Sequence, residues 1–224
     1  NKPLWLTAVN LRLECYRDKR LIDPAKTAIE SLLKGYPADQ DLWDFLAEWA
    51  EAYDAQTERW NSAGNPDQGA AFMGLALAVY TGMANIALKQ TGYQEYLDVI
   101  QFRMAEILMA QGEMDRAGRL YREILTRTPD AARALSKLGR IYEEQGHWDR
   151  ALEMWRGYAK GTEEGSVEWL DARYRIALAN SKMGRNQAAC DVITMIRVLH
   201  PDVGDEALLA KILALEKTVC VKAD

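Results

Sequence analysis

Apolar residues recur along this chain at the spacing of helix faces, and no stretch alternates as a strand would. Near the C-terminus, Leu208, Leu209, Ile212, Leu213 and Leu215 fall at helical spacing with Lys211, Glu216 and Lys217 alongside. The pattern predicts helices near 3–18, 23–36, 39–60, 68–90 and 93–111, then further helices in pairs, and a last one over 206–218. That makes about eleven helices, arranged as five hairpins and a closing helix. Asn61 to Gln68, with Gly64, Asn65 and Pro66, is the clearest loop. One stretch departs from the amphipathic rule: Ala70 to Leu88 carries no charge over 19 positions, long enough to span a membrane. Its Ala and Gly content, with Thr81 and Asn85, adds little insertion energy, and its neighbours are amphipathic. It is therefore read as a lengthened central helix buried on most sides, with Gly74, Ala78 and Gly82 allowing close packing; a membrane span is the rival reading.

The later helices repeat. Gly112, Ala117 and Tyr121 recur 34 residues on as Gly146, Ala151 and Trp155. They recur again after 38 as Gly184, Ala189 and Ile193, because Gly161 to Ser166 lengthens one loop. Each residue type has a mechanical reason. Ala105, Gly139 and Ala177 are small where the first helix of a unit is closely approached by the second, and Ala117, Ala151 and Ala189 answer them. The three glycines stand where the first helix must stop, since Gly accepts the left-handed conformation of a helix end. Asp115 and Asp149 favour the next helix start, and Pro129 and Pro201 close second helices. A hairpin of this length cannot bury its apolar stripe alone, so a solenoid follows, and 206–218 looks like the capping helix it requires.

The best copy, Gly139, Tyr142, Gly146, Trp148, Ala151, Trp155 and Tyr158, resembles the tetratricopeptide repeat, with coverage strongest from about Asp98 to Pro201. Glu163 replaces a proline and Asn180 stands where other copies carry Tyr142 and Leu108. Upstream, Leu13, Tyr16, Ala25, Ile29, Leu32 and Pro37 form a degenerate copy, and Trp43 and Ala47 start another helix. The resemblance implies an all-α, right-handed superhelical solenoid of antiparallel helix pairs. Its expected divisions are degenerate hairpins over 1–97, three repeats over 98–203, and a cap and tail over 204–224.

In that family the first helices line a concave groove where peptides commonly bind. The resemblance thus implies a groove lined by Val99, Phe102, Arg103, Glu106 and Met109; then Arg133, Ser136, Lys137, Arg140, Glu143 and Glu144; then Asp171, Tyr174, Arg175, Leu178 and Lys182. Six cations against four carboxylates make it net basic on a chain of formal charge -5. The expected ligand is an acidic protein segment, contacted by Arg103, Arg133, Lys137, Arg140, Arg175 and Lys182, with Phe102 and Tyr174 supplying apolar contact. The competing account is that these charges solvate an inner face and pair with nearby glutamates. A clamp for a chaperone's C-terminal carboxylate is not expected, because Phe102, Glu106 and Arg140 occupy its places.

Composition narrows the rest. Acidic residues spread along the length give no concentrated basic face for nucleic acid. Cys15, Cys190 and Cys220 are too few and too far apart for a disulfide framework or zinc site, and read as ordinary buried or tail thiols. His147 and His200 read as helix-end residues, and no nucleophile, metal cluster or phosphate loop stands at a useful spacing, so no catalytic residue, metal or cofactor is assigned. Trp148 and Trp155 read as packing residues, whereas Trp60 and Trp169 lie near loops and are the aromatics first suspected of meeting a ligand. No basic-then-apolar leader precedes the first helix, so any targeting segment is expected to have been removed or never present; the chain reads as soluble, and its compartment, cytoplasmic or periplasmic, stays open. The function expected is a non-enzymatic adaptor or scaffold that binds another protein. A self-associating module and the helical accessory region of a larger enzyme or envelope assembly are the alternatives.

Overall fold

The computed structural model describes residues 4–36, 38–201 and 203–220. Among them are eleven α-helices and one 3-10 helix, with no strand. Pro37, one of the residues of the degenerate upstream copy, lies outside the described residues. The chain divides into two compact units, Asn1–Leu120 and Tyr121–Asp224, the division falling inside one helix.

In the first unit, α1 (Leu4–Asp18) and α2 (Ile22–Gly35) form one hairpin, and α3 (Gln40–Ser62) and α4 (Pro66–Lys89) form a second. α5 (Leu97–Ala110) packs on α4, and α6 (Met114–Arg127) is the helix that contains the division. The expected lengthened hairpin is real: α3 has 23 residues and α4 has 24, against 14 in α5 and in α6. The loop between them is shorter than the sequence implies. Asn65 caps α4 by accepting the Gln68 amide, and Pro66 occupies the first turn, where its missing N–H leaves no bond unmade. The helix expected over 93–111 starts instead at Leu97, because Thr91–Tyr96 winds as a separate 3-10 helix.

α4 is the helix that, among the described residues, is long and apolar enough to cross a membrane. It packs against α2, α3 and α5, burying Phe72, Leu75, Ala76, Val79, Met83, Ile86 and Ala87 in the core of this unit. Gly82 makes the expected close approach: a Cβ there would stand 2.4 Å from Leu33. Gly74 does not, since nothing lies within 4 Å of a Cβ at that position.

The second unit holds α7 (Ala132–Glu144), α8 (Trp148–Lys160), α9 (Val167–Lys182), α10 (Asn186–Leu199) and α11 (Glu206–Val219). Ala151, Trp155, Ala177, Ala189 and Ile193 are buried, as their repeat positions require. Trp155 lies so close to Gly139 that a Cβ on Gly139 would come 2.8 Å from the indole. Asn180, the departure from the repeat, is buried too, and its amide donates to the Ile176 carbonyl one turn back. α11 packs on α9 and α10 through Leu208, Ile212, Leu215 and Val219, the place of the expected cap. One expectation is corrected here: Cys190 and Cys220 are joined in a disulfide across 30 residues, linking α10 to the end of α11, while Cys15 is a free, exposed thiol.

The first helix of every hairpin ends in the same turn. After α5, the Gly112 amide donates to Met109 and the Glu113 amide to Leu108; after α7, Gly146 donates to Glu143 and His147 to Tyr142. The paired bonds recur at Gly184 after α9, at Gly64 after α3, and at Arg20 after α1, all with positive φ. Arg20, at φ 58°, carries a cost of about 1–2 kcal/mol that glycine avoids, and its guanidinium rests 4.3 Å from the Trp60 ring. Gly146 isolates that backbone term, because a Cβ there meets nothing within 4 Å. Gly146→Ala is expected to destabilise the chain by about 1 kcal/mol in thermal unfolding followed by circular dichroism. An unchanged midpoint would show that the turn does not depend on glycine.

Candidate functional site

Of the residues expected to contact a ligand, Phe102 and Arg103 are on α5 in the first unit; Arg133, Lys137 and Arg140 are on α7, and Tyr174, Arg175 and Lys182 on α9, in the second. Arg103 is held by its own unit. Its Nε donates to Asp54 Oδ2 at 3.0 Å and Nη1 to Glu106 at 3.4 Å, while the Tyr80 hydroxyl donates to the same Asp54 oxygen at 2.8 Å. Burial and the hydrogen bond to Asp54 push the Tyr80 phenol above its ordinary range. Sequence reasoning missed Asp54 and Tyr80, 49 and 23 residues from Arg103, because neither belongs to a first-helix position of the better repeats.

Arg175 repeats the arrangement in the second unit. Nε donates to Asp171 on its own helix at 2.7 Å, and Nη1 to Glu143 on the preceding first helix at 2.7 Å. The guanidinium lies 4.8 Å from the Trp155 ring centroid, so one cation is satisfied by two carboxylates and an aromatic face. Its side chain is 17% exposed and that of Glu143 13%. Burial holds the Glu143 carboxyl above its usual range, and Arg175 opposes that shift. Of the six cations expected to face a ligand, Arg103 and Arg175 are thus engaged in internal networks.

Above the Arg175 network opens a cavity of about 440 Å³. α7 contributes Ser136 and Arg140; α8, Trp155 and Tyr158; the start of α9, Val167, Glu168 and Asp171; and the start of α11, Leu208 and Lys211. Ser166 caps α9 and Asp205 caps α11, each accepting an amide of the first turn, which fixes how both helix starts meet the cavity. Arg140 and Lys211 are exposed and form no ion pair among the described residues. Lys182 stands apart, its ammonium 5.9 Å from the Trp148 ring. The α11 wall was not legible from the repeat, since it depends on where the cap docks.

The suspected ligand aromatics lie elsewhere. Trp169 is 4% exposed, packed between Arg173 at 4.7 Å and His200 at 5.2 Å, and belongs to the core. Trp60 is covered by Arg20. His147 and His200 flank helix ends as expected, at the start of α8 and the end of α10. No cluster of three metal-ligating side chains occurs among the described residues.

Residues 96–155 and 171–202 match models of the tetratricopeptide repeat. Among solved structures, the apo form of RapI is similar at 16% identity and a TM-score of 0.59, over 98% of this chain and 78% of that one. A tetratricopeptide repeat protein from Parabacteroides merdae is similar at 17% identity and a TM-score of 0.55, over 94% and 72%. No curated protein sequence matches the chain.

Proposed function

Because this chain belongs to the tetratricopeptide repeat family, we propose that it is a protein-interaction scaffold whose second unit seats an acidic partner segment in the cavity between α7, α9 and α11. The observation that carries this reading is the pairing state of the cations. Arg175 is consumed by Glu143 and Asp171, whereas Arg140 and Lys211 border the cavity without an ion pair among the described residues. A partner carboxylate reaching Arg140 would form a charge-assisted hydrogen bond without first breaking an internal one. Tyr158 and Val167 offer apolar surface beside it, and Arg133 and Lys137 extend the basic side of α7. The charge contrast would act chiefly on encounter rate and on partner choice.

Arg175 is the wrong residue to change in a test, because its loss would unseat Glu143 and Trp155. The informative variant carries Arg133→Glu, Lys137→Glu and Arg140→Glu with Arg175 intact. Capture of one defined protein from native lysate by the parent chain, reduced at least tenfold in the variant at equal helicity, is the expected result. Equal capture by both would move the binding surface away from α7. Concentration-dependent mass with no captured protein would favour self-association instead.

A further inference from the structure

The wall that α11 gives the cavity is tied down at its opposite end. Asp205, Leu208 and Lys211, at the start of α11, border the cavity, while Cys220, just past its last turn, is bonded to Cys190 on α10 with the Cα atoms 5.1 Å apart. A helix of 14 residues is about 21 Å long, so the tether and the cavity lie at the two ends of one rigid rod. Beyond the disulfide, α11 is held by four buried apolar side chains and by the Arg197–Glu216 pair at 3.7 Å, both partners of which are about one-third exposed. Such an exposed pair adds little. Of the described residues between α10 and α11, Gly204 has a φ of 70° in the left-handed region and Val203 is buried. Both bonded cysteines are partly exposed.

We propose that the Cys190–Cys220 disulfide is a redox latch on α11, and that its reduction by a thiol or dithiol frees the helix and opens the cavity wall. The chemistry balances. A reductant thiolate attacks one sulfur, the other cysteine leaves as a thiolate and takes up a proton, and a second reductant thiol resolves the mixed disulfide. Two cysteine thiols and the oxidised reductant result. Oxidised, the bond closes a 30-residue loop, a constraint of about two orders of magnitude on the undocked state. Reduced, the cap keeps its buried apolar side chains and the exposed Arg197–Glu216 pair but loses its covalent tie, and short terminal helices of this kind open locally. Control of partner access rests on the reading that the cavity is the binding site; the latch itself does not.

The test uses the full chain in oxidised form, after treatment with dithiothreitol, and as the Cys190→Ser and Cys220→Ser variants. Alkylation under non-reducing conditions is expected to label Cys15 alone, and reduction to expose two further thiols. Amide exchange over 206–219 and over 167–171 is expected to quicken about 10- to 100-fold on reduction. Both serine variants should match the reduced chain and ignore the reductant. Labelling of all three cysteines before reduction, or exchange in α11 that reduction leaves unchanged, would overturn the latch. Faster exchange with no change in partner capture would keep the latch and remove the cavity as the partner's seat.

Discussion

Trp155→Ala is expected to destabilise the chain by about 3–5 kcal/mol, the cost of emptying a fully enclosed aromatic site that cannot collapse. The indole is 1% exposed, sits edge-on to Tyr158 at 5.9 Å and carries the Arg175 guanidinium on its face. Its bed is Gly139, where any side chain would enter the ring. Gly139→Ala alone should therefore cost about 1–3 kcal/mol as an overpacked contact. Combined with Trp155→Ala, the same Cβ enters empty space and should become neutral or mildly stabilising, in part because alanine suits a helix interior better than glycine. Urea unfolding of the four chains gives the coupling directly. Additive losses within about 0.5 kcal/mol would show that Gly139 and Trp155 do not pack as described.

That contact also marks what the sequence could convey. A 34-residue spacing pairs Tyr121 with Trp155, and the small residue one helix earlier is Ala105 in one copy and Gly139 in the next. A larger aromatic facing a smaller partner is therefore readable once the repeat is aligned. The helix-closing glycines were legible for a similar reason, since their conformation is a local property of the turn. Arg20 was not, because an arginine at the same turn carries no local signal. Two other features depend on docking rather than on local rules. Asp54 reaches Arg103 only because α3 and α5 meet in the first unit, and Cys190 meets Cys220 only because α11 folds back on α10. Cysteine spacing along the chain says nothing about that return, so the thiols looked unrelated. Trp169 misled in the opposite direction: it follows a loop, but Ser166 starts α9 early enough to turn the indole inward. Counting cations on first helices likewise cannot show which are already paired, as Arg103 and Arg175 are.

Arg175→Ala separates the structural cation from the ligand-facing one. It leaves Glu143, the more enclosed of the two carboxylates, without its cation, whereas Asp171 is 27% exposed and can hydrate. Removing one partner of an enclosed pair typically costs 3–5 kcal/mol; with this much access to water, about 2–4 kcal/mol is expected. Arg140→Ala, at an exposed position with no ion pair among the described residues, should stay within about 0.5 kcal/mol. The two should also differ with pH. Glu143 is held above its ordinary range by burial, and Arg175 is the charge that opposes the shift, so the variant's folded chain binds a proton on Glu143 at still higher pH. A raised folded value means that the folded state takes up protons before the unfolded state does. Stability of the variant relative to the parent is then best at acidic pH and declines as pH rises through Glu143's folded value. Glu143→Gln in the same chain removes the unpaired charge and should recover much of the loss at neutral pH. Urea midpoints for the parent, Arg175→Ala and the double variant at two pH values read all of this. A deficit that neither acid nor Glu143→Gln lessens would assign Arg175's contribution to its stacking on Trp155 instead of to the carboxylates it bridges.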